Sequence, residues 1–564
     1  MPEHNHIVVI GGTACGPKAA ARARRCDPDA EITLIEQGDI ISTATCGLPY
    51  YISGVIRDEG EMKVVLPEYF RDVLDTDVLL HTRATGIDRQ AHTVAVSDLE
   101  TSRQSTIGYD KLVLATGSTP VVPRWPGSDL RGISPLWSLP DANAIRGYIT
   151  ERKPRDIVIV GAGLIGLEMA ESLTEAGCRV TILEALDRAL PALLDADMAA
   201  FVENHLRDNG VTLRCGQRVT GFRGDGSGLA STVVTETGEL EAGMVLLSLG
   251  VRPEVRLARE AGLAIGAEGG IAVDEYLRTN DPSVYAGGDC VEVVNRITGE
   301  TMLAPMGSTA NKHGRIIGTN ITGGRDTFPG VLGTAILKVF DYTAGRTGLN
   351  EEQARQAGYD TLQSLIPGNE HATYYPGNRE FLLKLVAEKS TGRLLGGQVV
   401  GPGEGAKRID VLATAISLGA TVEDLSGLDL AYAPPFNSAM DPVHNAANVA
   451  RNKQSGMAVS LTPRQVREKI DNGEDFVLLD VRNQDEWDAV RIEAKQARLL
   501  PLPELRRRLG ELSVDDEIVI LCKTSIRAYQ AQRILLGAGF RNVTFMDGSI
   551  NGWPYEEYLA RNTA

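Results

Sequence analysis

Two strand–glycine turn–helix–strand units in one chain constrain the fold more than any other feature of the sequence. Ile7-Val8-Val9-Ile10 is a continuous apolar run, the pattern of a parallel strand covered on both faces. It leads into Gly11-Gly12-Thr13-Ala14-Cys15-Gly16, an Ala/Arg-rich helix around Lys18–Arg25, and a strand Ile32–Ile35 ending in Glu36. The same order returns at Ile157–Val160, Gly161-Ala162-Gly163-Leu164-Ile165-Gly166, a helix, and Val180–Leu183 ending in Glu184. Such a turn lets a pyrophosphate approach the backbone and sit on a helix N-terminus, and the acid closing the next strand binds a ribose. The chain is therefore expected to be α/β and to hold two dinucleotides.

At 564 residues the chain has room for several domains. A net charge of −17 argues against nucleic acid as a partner, because phosphate neutralisation needs basic surface. No run of about 18 apolar residues predicts a membrane span, and no export signal is read at the start, so a cytoplasmic enzyme is expected. The seven cysteines are scattered and include no CxxC, which excludes a disulfide framework and a zinc pattern; no metal is expected.

The first turn departs from the full glycine pattern at Thr13, but two later motifs support it. Leu112-Val113-Leu114-Ala115-Thr116-Gly117 reads as a strand ending in a small-residue turn. Thr279-Asn280-Asp281-Pro282-Ser283-Val284-Tyr285-Ala286-Gly287-Gly288-Asp289 reads as a strand delivering a carboxylate past two glycines. The ordered set resembles the two-dinucleotide flavoprotein disulfide reductases over roughly residues 5–450. The resemblance implies that the first fold holds FAD through Gly11, Gly16, Glu36, Ala115, Thr116, Gly117 and Asp289. Gly161, Gly163 and Gly166 would hold the nicotinamide cofactor, with Glu168 near the nicotinamide. Glu184 favours a free ribose 2′-hydroxyl, pointing to NADH over NADPH, and Arg188 stands close enough in sequence to soften that preference.

Between the turns lies Ser42-Thr43-Ala44-Thr45-Cys46-Gly47-Leu48-Pro49-Tyr50-Tyr51. A thiolate is the useful nucleophile, and positive charge or a helix N-terminus lowers its pKa. The Ser-x-x-x-Cys-Gly-Leu-Pro-Tyr-Tyr pattern resembles the single-cysteine branch: coenzyme A-disulfide reductases, persulfide reductases, NADH oxidases and NADH peroxidases. A single active Cys46 must form a mixed disulfide with substrate or be oxidised to a sulfenic acid. The peroxidase and oxidase members carry a His in the first glycine turn, where this chain has Ala14. The coenzyme A-disulfide type is the better match. It implies Ser42 and Arg22 on the substrate side, Arg22 holding coenzyme A phosphates. Tyr432 and Tyr374, the latter beside Tyr375, would reach the sulfur of the partner subunit in a homodimer with shared active sites. Cys15 stands where relatives have glycine, as a small filler or a second thiol near Cys46.

Near the far end, Ile518-Val519-Ile520-Leu521 delivers Cys522-Lys523-Thr524-Ser525-Ile526-Arg527 into a helix. A short loop before a helix aims backbone N–H groups at one point, and Lys523 and Arg527 add positive charge, which would depress the thiol and stabilise a persulfide. The segment resembles the rhodanese sulfurtransferases, with Gly548-Ser549-Ile550-Asn551-Gly552-Trp553-Pro554 matching their C-terminal signature. Four residues separate Cys522 from Arg527, against five in the related phosphatases. Val490-Arg491-Ile492-Glu493-Ala494-Lys495 replaces the usual Gly-His-Ile-x-Gly-Ala motif and puts the local structure there in question.

The expected architecture has two Rossmann-like dinucleotide-binding domains, an α+β dimerisation domain and a C-terminal α/β rhodanese domain. FAD binding falls to residues 1–150 and 250–330, NAD binding to 151–249, dimerisation to 331–450, a linker to 451–460 and the rhodanese to 461–564. The expected activity is FAD-dependent NAD(P)H reduction of coenzyme A disulfide, persulfide or polysulfide through Cys46, coupled to sulfur carried on Cys522. An NADH oxidase cycling through Cys46 sulfenic acid, or a sulfur-delivery or redox-sensing protein, are the alternatives.

Overall fold

The computed structural model describes residues 5–562. Contacts divide the chain into two units. One holds the chain up to Ala185 together with Gly216–Val331; the other holds Leu186–Cys215 and the chain from Leu332 onward.

In the first unit, the opening apolar run forms the centre of a five-stranded parallel sheet. The strand order is Val284–Ala286, Lys111–Leu114, His6–Ile10, Glu31–Ile35, Asp77–Leu79. Ile7, Val8 and Val9 are fully buried, as a doubly covered strand requires. Helix Cys15–Cys26 packs on helix Gly307–Asn320 with no room for side chains at two crossings. A Cβ on Gly314 would lie 2.4 Å from the Cys15 carbonyl oxygen, and one on Gly318 2.5 Å from that of Ala19. The second parallel sheet centres on Asp156–Val160, flanked by Arg179–Leu183 and Met244–Leu247, with Ile133–Pro135 beyond. Two three-stranded antiparallel sheets were not anticipated from the sequence: Thr82–Asp88, Thr93–Asp98 and Gln104–Gly108, and Val219–Gly224, Ala230–Thr235 and Gly238–Glu241.

In the second unit, a five-stranded antiparallel sheet runs in the order Ala335–Val339, Tyr342–Gly348, Leu394–Pro402, Glu380–Glu388, Thr361–Asn369. Helices Ala406–Ser417 and Pro442–Gln454 pack on it. The latter runs into the stretch expected to be a linker. The sheet carries a buried ammonium, Lys384, 2 % exposed, with Asp195, Asp197 and Glu351 at 3.0, 2.9 and 3.2 Å. Three carboxylates outweigh the burial penalty and hold that amine charged. Asp195 and Asp197 come from the segment Leu186–Cys215, which explains why that segment partitions with this sheet. The C-terminal part is a parallel sheet ordered Ser460–Leu461, Asn542–Met546, Glu517–Leu521, Val477–Asp480, Ala497–Leu499. The atypical segment is regular: Val490–Ile492 pairs antiparallel with Leu559–Arg561. Among the described residues no helix is long and apolar enough to cross a membrane.

Candidate active site

The first glycine turn is set by backbone crowding. Gly11 has φ +109°, and a Cβ there would lie 2.1 Å from the Ala115 carbonyl oxygen. One on Gly16 would lie 1.9 Å from the Gly11 carbonyl oxygen, so strand, turn and helix meet only if both positions are glycine. Thr13, at the irregular position, is exposed. The Glu36 carboxylate accepts from the N–H groups of Gly12 and Gly38, both at 2.7 Å, which fixes it at the strand end beside the turn. The Ala115-Thr116-Gly117 turn is tied down by the Ala115 N–H to the Ile10 carbonyl (2.8 Å) and the Thr116 hydroxyl to the Glu254 carbonyl (2.6 Å).

Asp289 follows Gly288, whose φ is +83°. Burial pushes its carboxyl up, and the Ser118 hydroxyl, 3.1 Å away, opposes this. A half-buried acid so placed fits the hydroxyl-bearing portion of a flavin dinucleotide, and the crowded turn fits its pyrophosphate. Behind it, the Gly288 N–H donates to Nδ1 of buried His313 (3.1 Å); burial lowers that imidazole to about 4. Cys15 is buried in the same wall, where a Cβ on Gly287 would come 2.9 Å from its sulfur. Burial raises its thiol well above the ordinary range, and Cys290 and Asp289 add to this.

The second turn repeats the crowding. A Cβ on Gly161 (φ +107°) would lie 2.2 Å from the Ser248 carbonyl oxygen, and one on Gly166 2.2 Å from that of Gly161. Gly163 has nothing within 4 Å of its Cβ position, leaving the backbone open to a phosphate. Glu184 accepts from the Ala162 N–H at 2.8 Å. In the other unit, Arg188 is engaged by Glu352 at 2.8 Å and Asp187 at 3.0 Å.

Cys46 lies exposed in the 3-10 turn Thr45–Gly47, just ahead of helix Leu48–Ser53. Ser42, at φ +54°, donates its N–H to the Gly12 carbonyl (2.7 Å), tying the cysteine segment to the first glycine turn. The sequence anticipated a thiol lowered by positive charge or a helix end. The structure differs: partial burial, then the Glu168 and Asp289 carboxylates, raise it. Glu168, on helix Leu164–Glu175, is lifted to about 7 by burial, with the Tyr50 hydroxyl donating to it at 3.4 Å. Tyr50 itself is pushed up to about 12, by burial and then by the acids Glu168 and Glu171. Tyr50 was passed over in the sequence, although it stands inside the Cys46 motif. Arg22 donates to the Thr319 hydroxyl at 3.0 Å.

In the second unit, Tyr374 and Tyr432 are exposed and share a hydrogen bond, hydroxyl to hydroxyl, at 3.1 Å. The neighbouring Tyr375 instead packs edge-on against His371.

Cys522 is buried at the end of strand Glu517–Leu521, in a loop that closes at Ser525 with φ +76° before helix Ile526–Gly537. Its N–H donates to the Ser549 hydroxyl (3.0 Å), which lies 3.7 Å from its sulfur. Arg527, whose charge interacts with Cys522, is also paired with a carboxylate. Glu486 holds it in a two-pronged pair at 2.7 and 2.6 Å, and this pair lowers Glu486 to about 2. Ser549 and Glu486 are functional candidates that the sequence reading gave no role. The spacing Asp480-x-Arg482-x-x-x-Glu486 was the available signal for the second.

Comparison with known proteins agrees with this geometry. Residues 5–310 match the pyridine nucleotide-disulphide oxidoreductase model, 334–443 its dimerisation domain, and 462–555 the rhodanese-like domain. The NAD(P)H sulfur oxidoreductase (CoA-dependent) of Pyrococcus abyssi is 38 % identical over 445 residues, covering 79 % of this chain and 98 % of the relative. The solved NAD-dependent persulfide reductase of A. fulgidus is 44 % identical with a TM-score of 0.92, covering 97 % of this chain and 100 % of that one. The reduced CoADR-RHD of Bacillus anthracis is 36 % identical with a TM-score of 0.94, covering 99 % of each chain.

Proposed function

The chain belongs to the pyridine nucleotide-disulphide oxidoreductase family, with a rhodanese-like domain behind it, and from that premise we propose a coenzyme A-dependent persulfide and disulfide reductase. The carrying observation is the pairing of two distinct sulfurs: exposed Cys46 tied to the first glycine turn, and Cys522 enclosed in a loop of its own. FAD and NAD(P)H supply the electron pair.

Gly11, Gly16, Glu36, Ala115-Thr116-Gly117 and Asp289 bind and orient the flavin dinucleotide; Gly161, Gly163, Gly166 and Glu184 bind the nicotinamide cofactor. Glu168, lifted to about 7, holds a proton for part of the time at neutral pH. The Cys46 thiolate attacks the outer sulfur of a persulfide or one sulfur of a disulfide; the S–S bond breaks and the carrier thiolate leaves. The electron pair that the bound cofactors would supply would break the new S–S bond at Cys46, regenerating its thiolate, and a proton would go to the departing sulfide or thiol. Arg22 and Ser42 serve the coenzyme A carrier. Tyr374 and Tyr432, on the dimerisation domain, serve the sulfur across a homodimer. Cys522 accepts sulfane sulfur and hands it to the carrier thiol.

Steady-state turnover of coenzyme A persulfide, coenzyme A disulfide and oxygen tests the reading. The sulfur substrates should be turned over faster than oxygen, and turnover confined to oxygen would overturn it in favour of a sulfenic acid oxidase.

A further inference from the structure

Two polar anchors tie the Cys522 loop to residues outside the rhodanese-like domain, all within the second unit. Lys453, near the end of helix Pro442–Gln454, places its ammonium 2.6 Å from Asp547 and 2.7 Å from the Gln363 carbonyl. Its side chain is 8 % exposed and that of Asp547 2 %. Glu380, on strand Glu380–Glu388, accepts from the Asn551 side-chain amide.

Both contacts fall on the turn that shapes the sulfur site. Asp547 immediately precedes Gly548 and Ser549, at φ +69° and +52°. Two successive left-handed residues, one of them a serine, form a conformation that the surroundings must enforce. That turn aims the Ser549 hydroxyl at the Cys522 N–H and sulfur. Next to it, the Ile550 and Asn551 N–H groups donate to the Cys522 and Lys523 carbonyls (both 3.1 Å). Asp547 anchors one end of this turn and Asn551 the other.

We propose that Lys453, on the helix that leads out of the dimerisation domain, and Glu380 within that domain are positioning residues for Cys522, so that the sulfur site is completed from outside its own domain. The argument rests on the reading that Cys522 carries sulfur. Burial pushes the Asp547 carboxyl up; the Lys453 ammonium, the Ser460 side chain and, more weakly, Lys384 oppose this. Without Lys453 a buried carboxylate would lose its ion partner directly beside the turn, and such a loss distorts the surrounding backbone or draws in a proton.

The test uses the full chain with bound cofactors and the variants Lys453→Met, Lys453→Arg and Glu380→Gln. Two activities are read: sulfur transfer from thiosulfate to cyanide, corrected with Cys522→Ser, and NADH-driven reduction of coenzyme A disulfide. Lys453→Met should lower the kcat of sulfur transfer about tenfold, with a deficit that deepens as pH rises and Asp547 ionises unpaired. Lys453→Arg should restore transfer to within about threefold, and Glu380→Gln should lower it about threefold. Disulfide reduction should stay within about twofold throughout, since neither Lys453 nor Glu380 is among the residues assigned to the Cys46 chemistry. Unchanged transfer in Lys453→Met, no rescue by arginine, or equal loss of both activities would overturn the proposal. If Lys453→Met does not fold, Glu380→Gln decides, and wild-type transfer there overturns it. Transfer that survives Cys522→Ser would instead remove the reading of Cys522, and this proposal with it.

Discussion

Replacing Glu184 by glutamine should turn the enzyme toward NADPH. The side chain sits at the end of strand Arg179–Leu183, is 9 % exposed, and accepts from the Ala162 N–H in the glycine turn. A glutamine keeps the shape and an oxygen for that N–H while removing the charge. A 2′-phosphate about 5 Å from the carboxylate, at an effective dielectric near 20, meets about 3 kcal/mol of repulsion per unit charge. Screening on the solvent side leaves about 2 kcal/mol, a factor of about 30. NADH in turn exchanges a charged ribose hydrogen bond for a neutral one, about 1 kcal/mol or fivefold. The ratio of kcat/KM for NADH over NADPH should therefore fall by about a hundredfold, mostly through a lower KM for NADPH. Steady-state reduction of coenzyme A disulfide with each cofactor measures it. A ratio that moves by less than threefold, or a wild type that prefers NADPH, would refute the electrostatic argument.

Three further outcomes are expected. Cys46→Ser should leave the protein yellow, with one FAD per chain, while disulfide and persulfide turnover drops by several powers of ten; near-normal turnover would make Cys46 structural. Glu168→Gln should lower the titration midpoint of Cys46, because the ionised acid raises that thiol, and alkylation of Cys46 at pH 8 should quicken about threefold. Site-resolved mass spectrometry reads this, and an unmoved midpoint would show that the two groups do not communicate. Cys522→Ser should abolish sulfur transfer while sparing the reduction of a small disulfide; equal loss of both, with flavin content intact, would show that the two modules do not divide the work.

What the sequence disclosed and what it hid follow from how far each feature reaches. The glycine turns were legible because their cause is local: Gly11 and Gly16, or Gly161 and Gly166, nearly touch within one strand–helix unit. The Cys522 loop was legible for the same reason. The state of the Cys46 thiol was not, since Glu168 and Asp289 arrive from distant parts of the chain. Nor was the engagement of Arg527 by Glu486, 41 positions away, which only folding brings together. Tyr374 could not be told from Tyr375 by composition, because both are tyrosines in one loop and only a hydroxyl partner distinguishes them. The strands between Thr82 and Gly108 were missed because short, partly exposed strands with few bulky residues give weak alternation.

The charge cluster around Lys384 bears on how chains of this kind can be recombined. Asp195 and Asp197 lie within residues 151–249, the stretch expected from the sequence to bind the nicotinamide cofactor, so a cut-and-paste exchange of that stretch would remove them and leave Lys384 and Glu351 behind. Breaking a buried ionic cluster by deleting one side costs about 3–5 kcal/mol, a large share of the stability of a typical domain. A donor module can therefore be exchanged only if it brings acids to the same two places, or if the lysine is replaced at the same time. Lineages that trade cofactor specificity by module exchange should carry the lysine and the two aspartates as a linked set.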